Sequence, residues 1–171
     1  MTESTMEFAY YSSPIGRLIL ANAGESLCGL WFEDTMADIY RKALDQSPVS
    51  IIDGHSKQGV LKQTSHQLDS YFAGTLKQFD LPLADQGTEF QRRVWAALRQ
   101  IPYAQTWSYQ QLAQMLGDIK AVRAVGTANG RNPISIITPC HRVIGKDGRL
   151  TGYAGGLEKK EFLLNLEKTN G

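Results

Sequence analysis

The feature that most limits how this chain can fold is a pair of capping boxes, Thr88 with Gln91 and Ser108 with Gln111. In each, a hydroxyl-bearing residue precedes a glutamine by one helical turn, so the two side chains can satisfy each other's backbone N–H groups where a helix opens. The first box opens a helix with Phe90, Val94, Trp95 and Leu98, which the Ile101-Pro102 step must end. The second opens a short helix carrying Leu112, Ala113 and Leu116 and stopping at Gly117. A third follows almost at once, with Ala121, Val122, Ala124, Val125 and Ala128 expected inward and Lys120, Arg123 and Thr127 outward. Two short helices around a glycine turn, the second basic outside, fit a helix-turn-helix or an ordinary helical hairpin.

Beyond the helices, Arg131-Asn132-Pro133 leads into the apolar stretch Ile134-Ser135-Ile136-Ile137 and then Pro139-Cys140-His141-Arg142-Val143-Ile144. A thiol is a poor nucleophile until it loses its proton, and a histidine oriented by an acid is one way to remove it. Cys140 and His141 supply two of those three parts, although a cysteine after an apolar run is also a common inert core residue. Asp147-Gly148 signals a hairpin between Val143-Ile144 and Leu150 to Tyr153, a candidate wing. The glycines around Tyr153, Gly152 and Gly155-Gly156, permit either a close backbone approach or a flexible loop. Leu157 to Glu167 reads as a closing helix.

The first half reads as a small antiparallel sheet with helices. Phe8 to Tyr11, the turn Ser13-Pro14-Ile15-Gly16, Leu18 to Ala21 and Leu27 to Phe32 give three strands. Helical spacing covers Asp34 to Leu44 and Leu61 to Phe72, while Asp45 to Gly59 is expected to be loop. Pro82 to Gly87 reads as a linker, dividing the chain into domains 1–87 and 88–171.

That division exposes a charge asymmetry beneath the net +1. Residues 1–87 hold 6 Lys and Arg against 11 Asp and Glu, and residues 88–171 hold 12 against 6. The second half therefore suits a polyanion, or else carries an ordinary solvated basic surface. Cys28 and Cys140, with His55, His66 and His141, show no paired zinc spacing and imply free thiols and no metal. The polar start, Met1 to Glu7, and the lack of a long apolar run imply a cytoplasmic chain without a membrane span.

Taken together, Thr106-Trp107-Ser108-Tyr109-Gln110-Gln111-Leu112-Ala113, Arg123-Ala124-Val125-Gly126, Asn132-Pro133, Pro139 to Gly145 and Gly152-Tyr153-Ala154-Gly155-Gly156 closely resemble the O6-alkylguanine-DNA alkyltransferases. The likeness covers residues 88–171 in order, and Ser13-Pro14-Ile15-Gly16 extends it more weakly into the first half. It implies an α+β chain: a ribonuclease-H-like α/β subdomain, then a mostly helical winged helix-turn-helix domain. It also implies repair of O6-methylguanine, with O4-methylthymine as a second substrate, by irreversible transfer of the alkyl group to the protein's own cysteine after nucleotide flipping. The partner would be double-stranded DNA carrying O6-alkylguanine; the protein would act as a monomer, with cooperative assembly on DNA an option, and no cofactor.

By the same resemblance Cys140 is the acceptor, His141 its base through a water, Glu167 the acid that orients His141, and Tyr109 the donor to the departing guanine and a phosphate contact. Arg123 would fill the space left by the flipped base, and Ala124, Thr127 and Arg131 would lie along the DNA. Asn132, Ser135, Val143, Tyr153 and Ala154 would shape the base pocket. Ser135 and Ala154 stand where vertebrate members have proline and serine, which implies a weaker grip on benzyl-sized substituents. Two competing readings are a non-catalytic damage binder and a Cys-His hydrolase of small esters or amides.

Overall fold

The computed structural model describes residues 6–47, 49–51 and 59–171. It contains two compact units, dividing between Ala84 and Asp85. The first holds strands β1 (Glu7–Ser13), β2 (Gly16–Ala23) and β3 (Ser26–Phe32), helix α1 (Asp38–Asp45), strand β4 (Val49–Ile51) and helix α2 (Val60–Phe72). The sheet order is β3-β2-β1-β4. The first three strands form the expected antiparallel meander, and β4 adds to β1 in parallel.

Leu18 to Ala21 and Leu27 to Phe32 are continuously buried, the pattern of strands covered on both faces. Phe8, Ile19, Ala21, Cys28, Trp31, Met36 and Leu44 form one core cluster, and α2 buries Leu61, Leu68 and Tyr71. Gly16, at φ 107°, makes the turn between β1 and β2 that a residue with a Cβ would resist.

Three expectations need correction here. Helix α1 starts at Asp38 rather than Asp34, because Met36 is extended and buried in the core cluster; only a single 3-10 turn, Glu33–Thr35, precedes it. Strand β4 lies within the stretch read as loop, whose residues 48 and 52–58, including His55, fall outside the described residues, as do residues 1–5. The first half of the linker is not free chain either. Leu27 N–H donates to Pro82 O at 2.8 Å and Ala84 N–H to Leu27 O at 2.8 Å, extending the edge of β3.

The second unit carries α3 (Glu89–Leu98), β5 (Trp107–Ser108), α4 (Tyr109–Met115), α5 (Val122–Gly130), β6 (Val143–Ile144) and α6 (Leu157–Asn170). Both capping boxes form as the sequence requires. Gln91 N–H donates to Thr88 Oγ1 at 3.1 Å and Thr88 N–H to Gln91 Oε1 at 3.0 Å; Gln111 N–H donates to Ser108 Oγ at 3.1 Å and Ser108 N–H to Gln111 Oε1 at 2.7 Å. The core cluster joins Val94, Trp95, Leu98 and Ile101 to Leu112, Ala113, Val125, Ala128, Cys140 and Val143. Trp95 is its largest member, and its indole N–H donates to Ala128 O at 2.9 Å.

Ala124 is corrected from inward to exposed: α5 buries Val125, Ala128 and Asn129, leaving Ala121 and Val122 half-buried. The expected hairpin is also corrected. Asp147-Gly148 does form a turn, with Gly145 N–H donating to Arg149 O at 2.8 Å, but residues 150–153 form no strand and β6 pairs in parallel with β5. The two-residue bridge satisfies β6 locally and ties the segment after Cys140 to the start of α4.

Helix α6 is unusual in what it buries: Lys160, Leu163 and Glu167, one stripe of which two members are charged. Among the described residues no helix is long and apolar enough to cross a membrane, and no group of three or more His, Cys, Asp or Glu could hold a metal ion.

Candidate active site

Asn132 organises the segment that presents Cys140. Its carbonyl accepts from Ile134 N–H at 3.0 Å, and its amide nitrogen donates to Thr138 O at 2.8 Å and reaches Cys140 Sγ at 3.2 Å. Thr138 N–H donates to Ile134 O and Cys140 N–H to Thr138 O, at 3.0 and 2.8 Å, so residues 134–140 are a chain of tight turns. Ile136 within it has φ 71°, a left-handed conformation that a β-branched residue adopts only when its surroundings compel it. Its burial and the Asn132 staple are what compel it here. Arg99 braces the same segment by donating to Thr138 Oγ1 at 3.0 Å.

Cys140 opens a 3-10 turn with His141 and Arg142, all three buried. His141 and Glu167 are both fully buried, with His141 Nε2 2.6 Å from Glu167 Oε2. A carboxylate only accepts, so the imidazole donates from Nε2, and Nδ1 keeps its lone pair. That Nδ1 makes no hydrogen bond among the described residues. It is the atom able to take a proton.

Glu167 has further partners that the sequence reading left without a role. Arg142 donates to it through Nε at 2.8 Å and Nη2 at 3.1 Å, while its Nη1 donates to Ile101 O at 2.7 Å. Ala104, at φ 64°, aims its N–H at Glu167 Oε1 at 3.2 Å. Burial alone would raise the Glu167 carboxyl, but His141 and the permanently charged Arg142 hold it well below the usual carboxylate range. Burial pulls His141 down by more than Glu167 pulls it up, so the ring is neutral at neutral pH. Burial also pushes the Cys140 thiol up, against the opposing pull of the Asn132 hydrogen bond, the Lys160 charge and the Tyr153 hydroxyl. The resting sulfur is therefore a thiol that needs a base.

A cavity of about 450 Å³ in this unit is lined by Tyr109, Val122, Gly126, Gly130, Thr151, Gly152, Tyr153 and Ala154. Thr151 Oγ1 and Tyr109 Oη share a hydrogen bond of 3.1 Å in the wall of this cavity. Of the expected pocket residues, Tyr153 and Ala154 line this cavity; Asn132, Ser135 and Val143 are buried and do not. Arg123, Ala124, Thr127 and Arg131 are all exposed along one face of α5 and its end. The Thr127 hydroxyl is occupied within the helix, donating to Arg123 O at 3.1 Å.

The basic half is less basic outside than a count suggests, because Arg142 and Lys160 are buried at this site. Sequence reasoning missed both. The available signals were the contiguity of Arg142 with Cys140-His141 and the helical spacing that puts Lys160 on the stripe of Leu163 and Glu167.

Residues 6–84 match the family model described as 6-O-methylguanine DNA methyltransferase, ribonuclease-like domain, and residues 89–169 match that family's DNA binding domain. A methylated-DNA--protein-cysteine methyltransferase of Methanosarcina acetivorans is 49% identical over 162 residues, covering 95% of this chain and 98% of that protein. The one from Mycobacterium tuberculosis H37Rv is 46% identical over 157 residues, covering 92% and 89%. Among solved structures, the M. tuberculosis O6-methylguanine methyltransferase superposes with a TM-score of 0.83 at 43% identity, covering 97% of this chain and 94% of that one. A structure of M. tuberculosis OGT in complex with DNA superposes equally well, with a TM-score of 0.83 at 43% identity over 96% and 94% of the two chains.

Proposed function

Because this chain belongs to the 6-O-methylguanine DNA methyltransferase family, we propose that it repairs O6-alkylguanine in duplex DNA by moving the alkyl group onto its own Cys140, once per molecule. The observation that carries this reading is a buried thiol, Cys140, followed directly by His141, which is itself buried and paired with Glu167 of α6. His141 Nδ1 takes the thiol proton through a water, and the sulfur attacks the methyl carbon. The sulfur–carbon bond forms as the carbon–O6 bond breaks, and its electron pair passes to the purine. Tyr109 donates to the ring as that charge develops, so that in sum the thiol proton ends on guanine. A thioether has no easy hydrolytic exit, so the methylated protein is the end product. The same displacement applies to O4-methylthymine, which carries its methyl on an equivalent exocyclic oxygen.

The direct test is mass spectrometry of the protein mixed with a duplex carrying one O6-methylguanine, no cofactor added. A stoichiometric methyl gain confined to the Cys140 peptide supports the reading. Tight lesion binding with no gain would make the protein a non-catalytic damage sensor.

Reaching the base inside a duplex requires flipping it out, at a cost of a few kcal/mol in lost stacking and pairing. In this reading the exposed Arg123 of α5 fills the gap. Arg123→Ala should slow repair of duplex roughly tenfold, about 1.4 kcal/mol of barrier, and leave single-stranded repair almost unchanged. Equal losses on both substrates, measured in single-turnover assays, would remove the arginine from flipping. Tyr109→Phe should slow transfer by about 10²-fold with lesion binding retained, because one preorganised donor is lost at the leaving group. An unchanged transfer rate would take the phenol proton out of the reaction.

A further inference from the structure

Thr138 is an odd member of the apolar run that leads to Cys140: it is fully buried, where valine has nearly the same shape and would bury no polar group. Its hydroxyl meets Arg99, the residue that caps the end of α3, whose Nε donates to Thr138 Oγ1 at 3.0 Å. The outer edge of the same guanidinium is occupied by Asp85, the first residue of the second unit, which accepts from Nη1 at 2.8 Å and also from Nη2. All three guanidinium nitrogens are thereby used, and the fork is held between a carboxylate on one side and the turn before Cys140 on the other.

That turn needs holding. Ile136, two residues before Thr138, sits at φ 71°, a conformation that persists only where the surroundings over-determine it. Thr138 is the point at which the turn is tied. Its N–H donates to Ile134 O, and its carbonyl accepts both from Cys140 N–H and from Asn132 Nδ2, the amide that also reaches Cys140 Sγ. We infer that Arg99, oriented by Asp85, is a positioning residue for the transfer reaction: by fixing Thr138 it keeps the strained turn from relaxing and holds the Cys140 sulfur in the place from which it attacks. The inference rests on the alkyl-transfer reading and adds to it a residue of α3, outside the set of Cys140, His141 and Glu167.

The experiment pairs single-turnover methyl transfer at saturating O6-methylguanine duplex with hydrogen exchange of the whole protein without DNA. Arg99→Lys keeps a cation beside Asp85, but a lone ammonium lacks the fork that serves both partners; transfer should slow roughly tenfold with duplex affinity unchanged. Thr138→Val removes the hydroxyl and should slow transfer to a similar extent, and Thr138→Ser, which returns the hydroxyl, should recover most of the rate. Adding Thr138→Val to Arg99→Lys should cost little more, because both remove the same interaction. In both slow variants the Thr138 and Cys140 amides should lose protection, while the Trp95 indole N–H, bonded to Ala128 O in the core of the same unit, keeps its own.

Transfer at the wild-type rate in both variants overturns the inference. So does a loss that Thr138→Ser fails to recover, or protection lost equally at Trp95, since either would make Arg99 a general stabiliser of the fold. Should Arg99→Lys fail to fold, Thr138→Val and Thr138→Ser, which change no charge, carry the decision. Failure of the wild-type protein itself to accept methyl from DNA is a distinct result that sinks the proposed function, because the variants are read against the wild-type rate.

Discussion

Cys140→Ser takes up no methyl group from a duplex carrying O6-methylguanine, a loss of at least about 10³-fold, yet still binds the lesion. The substitution keeps a small polar side chain against Asn132 and disturbs neither the 3-10 turn nor the His141–Glu167 pair. What it removes is a group that His141 can deprotonate. An alcohol holds its proton far more firmly than a thiol, and burial makes the oxygen anion harder still to form. Burial also keeps His141 a weak base, by pulling it below the ordinary histidine value. The variant should therefore form a long-lived complex with the damaged duplex, seen as unchanged affinity in a binding titration and no mass gain. Methyl transfer to the serine at the wild-type rate, or to any other residue, would remove Cys140 from the reaction.

Glu167→Gln is expected to act on stability and on chemistry together. Glu167 accepts from His141, from Arg142 through two nitrogens and from Ala104 N–H, all in a buried setting. The amide has one acceptor oxygen in place of two and no charge, so the Arg142 guanidinium is left buried without a counter-ion, at a cost of about 3–5 kcal/mol. The imidazole loses the acceptor that fixes its tautomer, and methyl transfer should fall by about 10²-fold or more.

The pH dependence has a definite sign. Glu167 is held below the ordinary carboxylate range, so its contribution to stability is fully present above the value of an unfolded glutamate, about 4.3. It is lost as pH falls from there through the depressed folded value. The stability gap between wild type and Glu167→Gln, read by chemical denaturation, should be largest at neutral pH and narrow as pH drops below about 4. A gap that stays constant into acid would show that Glu167 is not stabilised as an anion in the folded protein.

How much of this was legible in the chain follows from how local each signal is. Capping boxes, the turn at Gly16 and the stop at Gly117 are settled by neighbours within one turn of chain, and each formed where it was read. The three-strand meander was legible for the same reason, since its strands are joined by short turns. Strand β4 was not, because three residues pairing in parallel with β1 have no local pattern of their own. Nor was the parallel pairing of β6 with β5 across a long stretch of chain, which took the place of the hairpin that Asp147-Gly148 suggested. Ala124 was misplaced because alanine satisfies an inward pattern and an outward one equally well.

At the site, Cys140 and His141 were visible as a pair, but Glu167 entered only by resemblance, and its burial is a product of tertiary packing. Arg142 and Lys160 were counted among the cations of a basic surface. A charge count assigns every lysine and arginine to solvent, and these two lie where burial is tolerated because carboxylate or carbonyl oxygens receive them.

The stripe of Lys160, Leu163 and Glu167 on α6 has a consequence for the order of events as the protein is made. Translation delivers Cys140 and His141 before the helix that completes them, so a nascent chain emerging from the ribosome carries an ordinary thiol beside an unanchored imidazole. On the proposed function, the sulfur acquires its reactive setting only when α6 docks, and messages cut short upstream of that helix should yield fragments with an unassisted cysteine rather than an alkyl acceptor.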